Sequence, residues 1–375
     1  MKVMLVITKG EVGGAQTHVL SLCQALSHQV QYVAAIGGGE VATHLGDALT
    51  LKGALVCYLQ PLGNSLSPLR LIESVRALLR LIRQQQPDIL HAHSAVAGVV
   101  SRIAGRIANV PVIYTVHGFG FKPQVSPMRR WAAWLAEYAL APWTGQMVCV
   151  SQHERNLARG LPLKHDRIGV IHNGVPDTVE RANPSLQPLR IVMVARLAPP
   201  KRPDVLLQSL ALLRDTLGYE VSATLIGSGS ELKSLQSLAE QLNLHSVDFT
   251  GDVSNVAQRL AEHSIFVLMS DHEGLPISVI EAMRAGLAIV ASDLPGMREL
   301  IAHGQNGLLV PNQPSSLAPA LKQLIASVPL RIQLGQAARL AYEAGFTLDK
   351  MALSTEALYF KLGHARNKIR PDPHP

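Results

Sequence analysis

Short apolar runs alternate along most of the chain with longer stretches in which apolar residues recur every three or four positions. The runs read as buried strands and the stretches as amphipathic helices. The first half predicts strands at Val3–Ile7, Val30–Ile36, Ala54–Leu59, Asp88–His91, Val112–Thr115, Met147–Val150 and Ile168–Ile171. Helices are predicted among them at Ala15–Ser27, Pro68–Gln85 and Val96–Ala108. The second half repeats the plan. Its strands are expected at Arg190–Ala195, Ser222–Gly227, Val247–Thr250, Ile265–Met269, Ala288–Ala291 and Gly307–Val310. Its helices are expected at Pro203–Leu217, Glu231–Gln241, Val256–His263, Ile277–Arg284 and Gly296–Ala302. Residues 177–188, polar, aperiodic and holding Pro184 and Pro188, read as a linker. After Pro311 the pattern is helical to about residue 363, and the basic, proline-rich tail 364–375 is expected to fray. Strand–helix–strand alternation at this spacing predicts parallel sheets covered by helices on both faces. The expected fold class is therefore α/β, with one doubly wound domain over 1–176, a second over 189–345, and a C-terminal helix and tail over 346–375 packing back on the first. Ligands of such sheets bind at the carboxyl ends of the strands, so the loops after strands are where chemistry is expected.

Composition narrows the setting. The chain is 47% hydrophobic and 16% charged, enough for two large cores, and it reaches no run of about 18 apolar residues that could cross a bilayer. The opening Met-Lys and five apolar residues read as a strand rather than a signal peptide. Cys23, Cys57 and Cys149 are widely spaced in apolar surroundings, which suits reduced, buried thiols and a cytoplasmic location. The net charge of +7 is uneven. Residues 1–176 hold 16 Lys/Arg against 8 Asp/Glu, and the remainder is nearly balanced. An anionic partner for the first domain follows, a membrane surface or anionic lipid rather than nucleic acid, because aromatics are only 4% and no nucleic-acid module is present.

The most informative segment is Ser270–Glu299. After an apolar strand comes Glu273-Gly274-Leu275-Pro276, and Pro276 is placed to start a helix. A helix that opens straight after a glycine loop at a strand's end presents free amides and a positive dipole end, a site suited to a diphosphate. Glu281, about one turn further on, can accept from the adjacent hydroxyls of a ribose. Glu273, before the helix, can accept from hydroxyls on the other side of the phosphates.

These residues resemble the retaining glycosyltransferases of family 4. The ordered match runs Glu273-Gly274-Leu275-Pro276, Glu281-Ala282-Met283, Gly286, Ile289-Val290, Ser292-Asp293, Gly296, Glu299-Leu300 and Asn306-Gly307-Leu308, with Ala195-Arg196-Leu197 and Lys201 earlier and Gly13-Gly14-Ala15 near the start. The resemblance implies the GT-B fold, two Rossmann-like domains facing across a cleft with C-terminal helices, and a nucleotide-diphosphate sugar as donor substrate. It implies that Arg196 and Lys201 neutralise the diphosphate, that Glu273 and Glu281 hold sugar and ribose, and that Gly274, Leu275 and Ser278 line the donor site. Gly13 and Gly14 would let the backbone approach the donor, and His117, after the strand Val112–Thr115, would lie beside the donor sugar. Ala195 and Pro276 stand where the family usually has glycine.

No cofactor is expected, and without an Asp-x-Asp pair no metal either. His91 and His93 read as structural, with His93 open to an acceptor contact, and His172 and Asn173 as a structural turn. Arg129 and Arg130 precede Trp131, Trp134 and Tyr138 at helical spacing, and Pro68–Gln85 adds Arg70, Arg76, Arg80 and Arg83. The run Thr115–Lys122 looks like that of members building exopolysaccharide or O-antigen on polyprenyl diphosphate. The expectation is a peripheral enzyme at the inner face of the cytoplasmic membrane with a polyprenyl-diphosphate-linked acceptor. An epimerase or hydrolase on the same fold, or a non-catalytic sugar-nucleotide-binding regulator, stand as alternatives.

Overall fold

A computed structural model describes residues 1–367 other than 12, 39–42, 66, 123–125 and 219. The chain divides into two compact units. The first comprises Met1–Asn173 and, returning from the far end of the sequence, the helix Leu348–Asn367. Its sheet has strands β1 (Lys2–Ile7), β2 (Gln31–Gly37), β3 (Leu55–Leu59), β4 (Ile89–His93), β5 (Val112–Val116), β6 (Gln146–Cys149) and β7 (Ile168–Val170). All are parallel, in the order β3-β2-β1-β4-β5-β6-β7. Strands flanked by helices on both faces need no polar alternation, and β1, β4 and β5 are apolar or buried almost throughout. One face packs Leu78, Val100 and Ala104 from the helices Pro68–Gln85 and Ala95–Ala108. The other packs Val19, Leu22 and Cys23 of the helix Gly14–Leu26 with Met351 and Tyr359 of the returning helix. The strand order reverses between β1 and β4, and the register sets Ile7 opposite His93 and His93 opposite Thr115. The crevice beyond those strand ends is where such a sheet binds ligands.

The second unit, Gly174–Thr347, has β8 (Arg190–Val194), β9 (Ser222–Ile226), β10 (Val247–Gly251), β11 (Ile265–Leu268), β12 (Ala288–Ser292) and β13 (Leu308–Val310), again parallel, in the order β10-β9-β8-β11-β12-β13. Its order reverses between β8 and β11, and β11, β12 and the Met269 that follows β11 are fully buried. Every predicted strand is present to within two residues at either end.

Three expectations change. The chain divides after Asn173, and residues 177–188, read as a linker, belong to the second unit. Asp177 is paired with Arg339 at 2.7 Å, Ala182 donates to the Ala285 carbonyl, and the Pro184 carbonyl accepts from Arg331. These side-chain and backbone ties come from distant sequence and leave no periodic signal. Gly296–Ala302 is a succession of turns, not a helix. Gly296 is the reason: a Cβ there would lie 2.1 Å from the Gly274 carbonyl oxygen, so this segment is shaped by close packing on the loop beside it. The tail is helical through Asn367, and the frayed end expected beyond it falls outside the described residues. The helices His44–Leu51 and Gln152–Ala158, unpredicted, are short and capped by Thr43 and Ser151.

Candidate functional site

In the second unit the loops after β8 and β11, neighbours at the strand-order reversal, are joined along their length. Arg202 donates its amide to the Met269 carbonyl at 2.9 Å, and Asp271 donates its amide to the Pro200 carbonyl at 2.8 Å. Lys201 bridges Ser270. The Ser270 amide donates to Ser292 Oγ, and Asn312 ties Ser292 to Asp271. This framework sets Lys201 Nζ against Glu273 Oε1 in a short ion pair, with both side chains largely buried. Arg196, on the same loop as Lys201, is exposed and donates to the Pro199 carbonyl at 3.5 Å. Gly227 and Gly229 hold the loop from the other side: a Cβ on either would come within 2.2 Å of the Ala195 or Leu197 carbonyl oxygen. Those two glycines were not singled out from the sequence, because a turn glycine is legible there only through the loop it touches.

The helix Ile277–Ala285 opens immediately beyond Glu273 and Gly274. Pro276 is its N-cap rather than its first residue, and no side chain caps it. The proline removes one of the four amides that a helix start leaves free, so the free donors fall to the next three residues. Among the described residues the amides of Ile277, Ser278 and Val279 have no acceptor. Gly274 and Leu275 are buried, and the Leu275 side chain lies in the core, so only its backbone can meet a ligand. Glu281 is half-buried and makes no hydrogen bond or salt bridge among the described residues. Burial pushes its carboxyl up to about 7, against the pull of Arg284. A desolvated carboxylate without a partner is a strong acceptor awaiting hydroxyl donors.

The first unit gathers histidines at the carboxyl ends of β4 and β5. His117 follows β5 and is half-buried. His93 Nδ1 lies 3.3 Å from His117 Nε2, and His18, on the helix Gly14–Leu26, meets His117 edge-on with ring centroids 5.0 Å apart. His18 Nδ1 is 3.0 Å from Asn173 Oδ1. His91 is satisfied at both ring nitrogens, by Tyr359 Oη at 2.6 Å and Thr115 Oγ1 at 2.7 Å. Burial holds His18 at about 4, and His91, His93 and His117 well below the usual value, so all four are neutral near pH 7. Periodicity did not reveal His18, and Tyr359 arrives from a helix 268 residues away from its partner. Gly13 is extended, at φ 175°, and precedes Gly14, the first helical residue. Only the flexible Gln16 side chain would crowd a Cβ at Gly13. Among the described residues no cluster of His, Cys, Asp or Glu is arranged to hold a metal ion.

Residues 177–341 match the family Glycosyl transferases group 1, and residues 12–179 match Glycosyltransferase Family 4. A Bacillus subtilis protein named as a glycosyltransferase, EpsD, is 30% identical over 301 residues, covering 74% of this chain and 78% of that one. The chain is a family 4 GT-B glycosyltransferase. A second relative, the Escherichia coli UDP-Gal:alpha-D-GlcNAc-diphosphoundecaprenol alpha-1,3-galactosyltransferase, is 26% identical over 329 residues, 81% of this chain and 83% of the other. The solved structure of Anabaena Alr3699/HepE in complex with UDP-glucose shares the fold at TM-score 0.81 and 22% identity, across 96% of this chain and 99% of that one.

The glycosyltransferase also exposes large apolar and basic side chains on helices of its first unit. On the helix Pro127–Leu140 the exposed large apolar residues are Met128, Trp131, Leu135 and Tyr138, spaced as one helical stripe. Trp134, expected in that stripe, instead packs against the core and against Tyr138. Arg129 and Arg130 are exposed beside it. On the helix Pro68–Gln85, Arg70, Arg76 and Arg80 line a groove of about 490 Å³ with Gln60, Pro61, Glu73 and Ala77, and none of the three has a carboxylate partner among the described residues. No described helix is long and apolar enough to cross a membrane.

Proposed function

We propose that this glycosyltransferase moves a sugar from a nucleotide-diphosphate donor, a UDP-sugar before a GDP-sugar, with retention of configuration and without a metal ion. The observation that carries the reading is the Lys201–Glu273 pair set directly before an uncapped helix that bears the unpartnered Glu281. Lys201 and Arg196 supply the positive charge that a departing diphosphate requires, the task a divalent ion performs elsewhere. The amides of Ile277, Ser278 and Val279 add donors to the phosphates, and Gly274 and Leu275 line the same place. Glu281 accepts from the ribose hydroxyls, and Glu273, oriented by Lys201, accepts from hydroxyls of the sugar. Within the first unit, His117, Gly13 and Gly14 are the residues proposed to meet a sugar. The UDP-glucose bound in the Anabaena structure supports a nucleotide-sugar donor. The test is calorimetric titration of UDP and GDP, with and without chelator, into the wild type and Glu281→Ala. The reading predicts chelator-insensitive binding that falls about tenfold or more in the variant, and unchanged affinity in Glu281→Ala contradicts it.

The acceptor we propose is a polyprenyl-diphosphate-linked glycan used in cell-surface polysaccharide synthesis, met by a peripheral enzyme at the inner face of the cytoplasmic membrane. The name of the Escherichia coli galactosyltransferase, which specifies a diphosphoundecaprenol-linked acceptor, supports it. So does the stripe of Met128, Trp131, Leu135 and Tyr138 flanked by Arg129 and Arg130, which suits a helix lying in the plane of an anionic interface. Sedimentation with phosphatidylglycerol vesicles and with phosphatidylcholine vesicles decides this part. Salt-sensitive binding to the first alone is expected, and equal, negligible binding to both at low salt contradicts it.

A further inference from the structure

A neutral imidazole carries one proton and two nitrogens, so a buried ring must place its proton where an acceptor exists. His93 is fully buried. Its Nδ1 faces His117 Nε2 at 3.3 Å, and its Nε2 has no hydrogen-bond partner. With the proton on Nε2, His93 would bury an N–H with no acceptor. With the proton on Nδ1, the atom left over is a lone pair, and unpaired acceptors are tolerated in protein interiors more readily than unpaired donors. The proton in the pair therefore belongs to His93 Nδ1, and His117 Nε2 accepts it. His117 must then carry its own proton on Nδ1, which meets no acceptor among the described residues.

We infer that His93 is a positioning residue, whose Nδ1–H bond fixes His117 as its Nδ1–H tautomer and so turns an N–H donor toward the donor sugar. The inference rests on His117 as a sugar contact. The surroundings reinforce the arrangement. His91 packs on His93 with centroids 4.1 Å apart and is itself pinned by Thr115 and Tyr359. His18, held by Asn173, stands edge-on to His117 and limits its rotation. A neutral donor at this place suits a transition state that gathers positive charge on the sugar ring, where an imidazolium would repel it.

The test uses the full chain, labelled with nitrogen-15, and long-range proton–nitrogen correlation to read the protonated nitrogen of His117. The wild type is expected to show Nδ1–H. In His93→Asn the side-chain amide N–H occupies the place of Nδ1. It should keep that tautomer and hold turnover within about threefold, whereas His93→Leu should mix the tautomers and lower kcat roughly 10- to 100-fold with KM for the nucleotide sugar little changed. An Nε2-protonated His117 in the wild type overturns the inference without recourse to any variant, as does equal loss of turnover in Asn and Leu variants that remain folded. His117→Ala separates the two readings: unchanged turnover there overturns the sugar contact, whatever tautomer the wild type shows.

Discussion

Replacing Glu281 by glutamine should strengthen the fold while weakening the site. Unfolded, a glutamate side chain releases its proton near 4.5; in the native second unit burial holds the Glu281 proton up to about 7. Below the unfolded value both states are protonated and burial exacts no charge penalty. As pH rises from 4.5 toward 7 the unfolded chain gives up its proton and the native chain does not, so stability drains away, and the loss is complete just above 7. The displacement corresponds to roughly 3 kcal/mol at full weight. Because Glu281 is half-buried, not sealed, an effect of about 1–3 kcal/mol is expected at about pH 8. Glutamine keeps the shape and drops the charge, so the Glu281→Gln protein should melt higher, by about 2–4 °C per kcal/mol for a unit of this size. The assay is thermal unfolding by circular dichroism of both proteins at pH 5, 6, 7 and 8, beside titration with UDP. The gap in Tm should widen from pH 5 to 7 and then level, while UDP affinity falls about 10- to 100-fold through loss of a charge-assisted acceptor. A variant no more stable than wild type at pH 8, or a gap that does not grow with pH, refutes the reasoning.

Gly296→Ala places a methyl group 2.1 Å from the Gly274 carbonyl oxygen and 3.0 Å from that of Glu273, so the donor loop must shift; about 1–3 kcal/mol of stability and most turnover should be lost, read by Tm and initial rates. Lys201→Ala releases Glu273 and removes the charge proposed to neutralise the diphosphate; kcat should fall about 100-fold or more with a Tm change under about 3 °C, and near-normal turnover would count against the assignment. Arg102→Met strands the Glu137 carboxylate, which Arg102 meets at 2.7 Å beneath the helix Pro127–Leu140, and should cost about 3–5 kcal/mol in denaturant unfolding. Turnover in excess chelator should match turnover without it, and loss restored by a divalent ion would show that Arg196 and Lys201 do not suffice.

The strands were legible because burial on both faces leaves a strong local signature of short, continuous apolar runs, and β11, β12 and β4 announce themselves that way. The motif around Glu273 and Glu281 was legible because its chemistry is contiguous in sequence. What escaped is built from tertiary contact. The turns of 296–302 follow from a carbonyl of another loop pressing on Gly296. The strap 177–188 is held by Arg331 and Arg339. The inward turn of Trp134, one residue out of phase with the exposed stripe, depends on which side of the helix Pro127–Leu140 meets the sheet. His93 and His117 become partners only through the register of β4 with β5.

The central claim is that Glu273, Glu281, Arg196 and Lys201 form a metal-free donor site for a nucleotide-diphosphate sugar. It is tested most directly by incubating the enzyme in chelator with a panel of UDP- and GDP-sugars and a polyprenyl-diphosphate-linked sugar, and following products by proton NMR. Stoichiometric release of a nucleoside diphosphate is predicted with one donor. A new glycosidic bond of the same anomeric configuration as that donor should accompany it, with both lost in Lys201→Ala. An inverted product, or transfer that only a divalent ion supports, would contradict the claim.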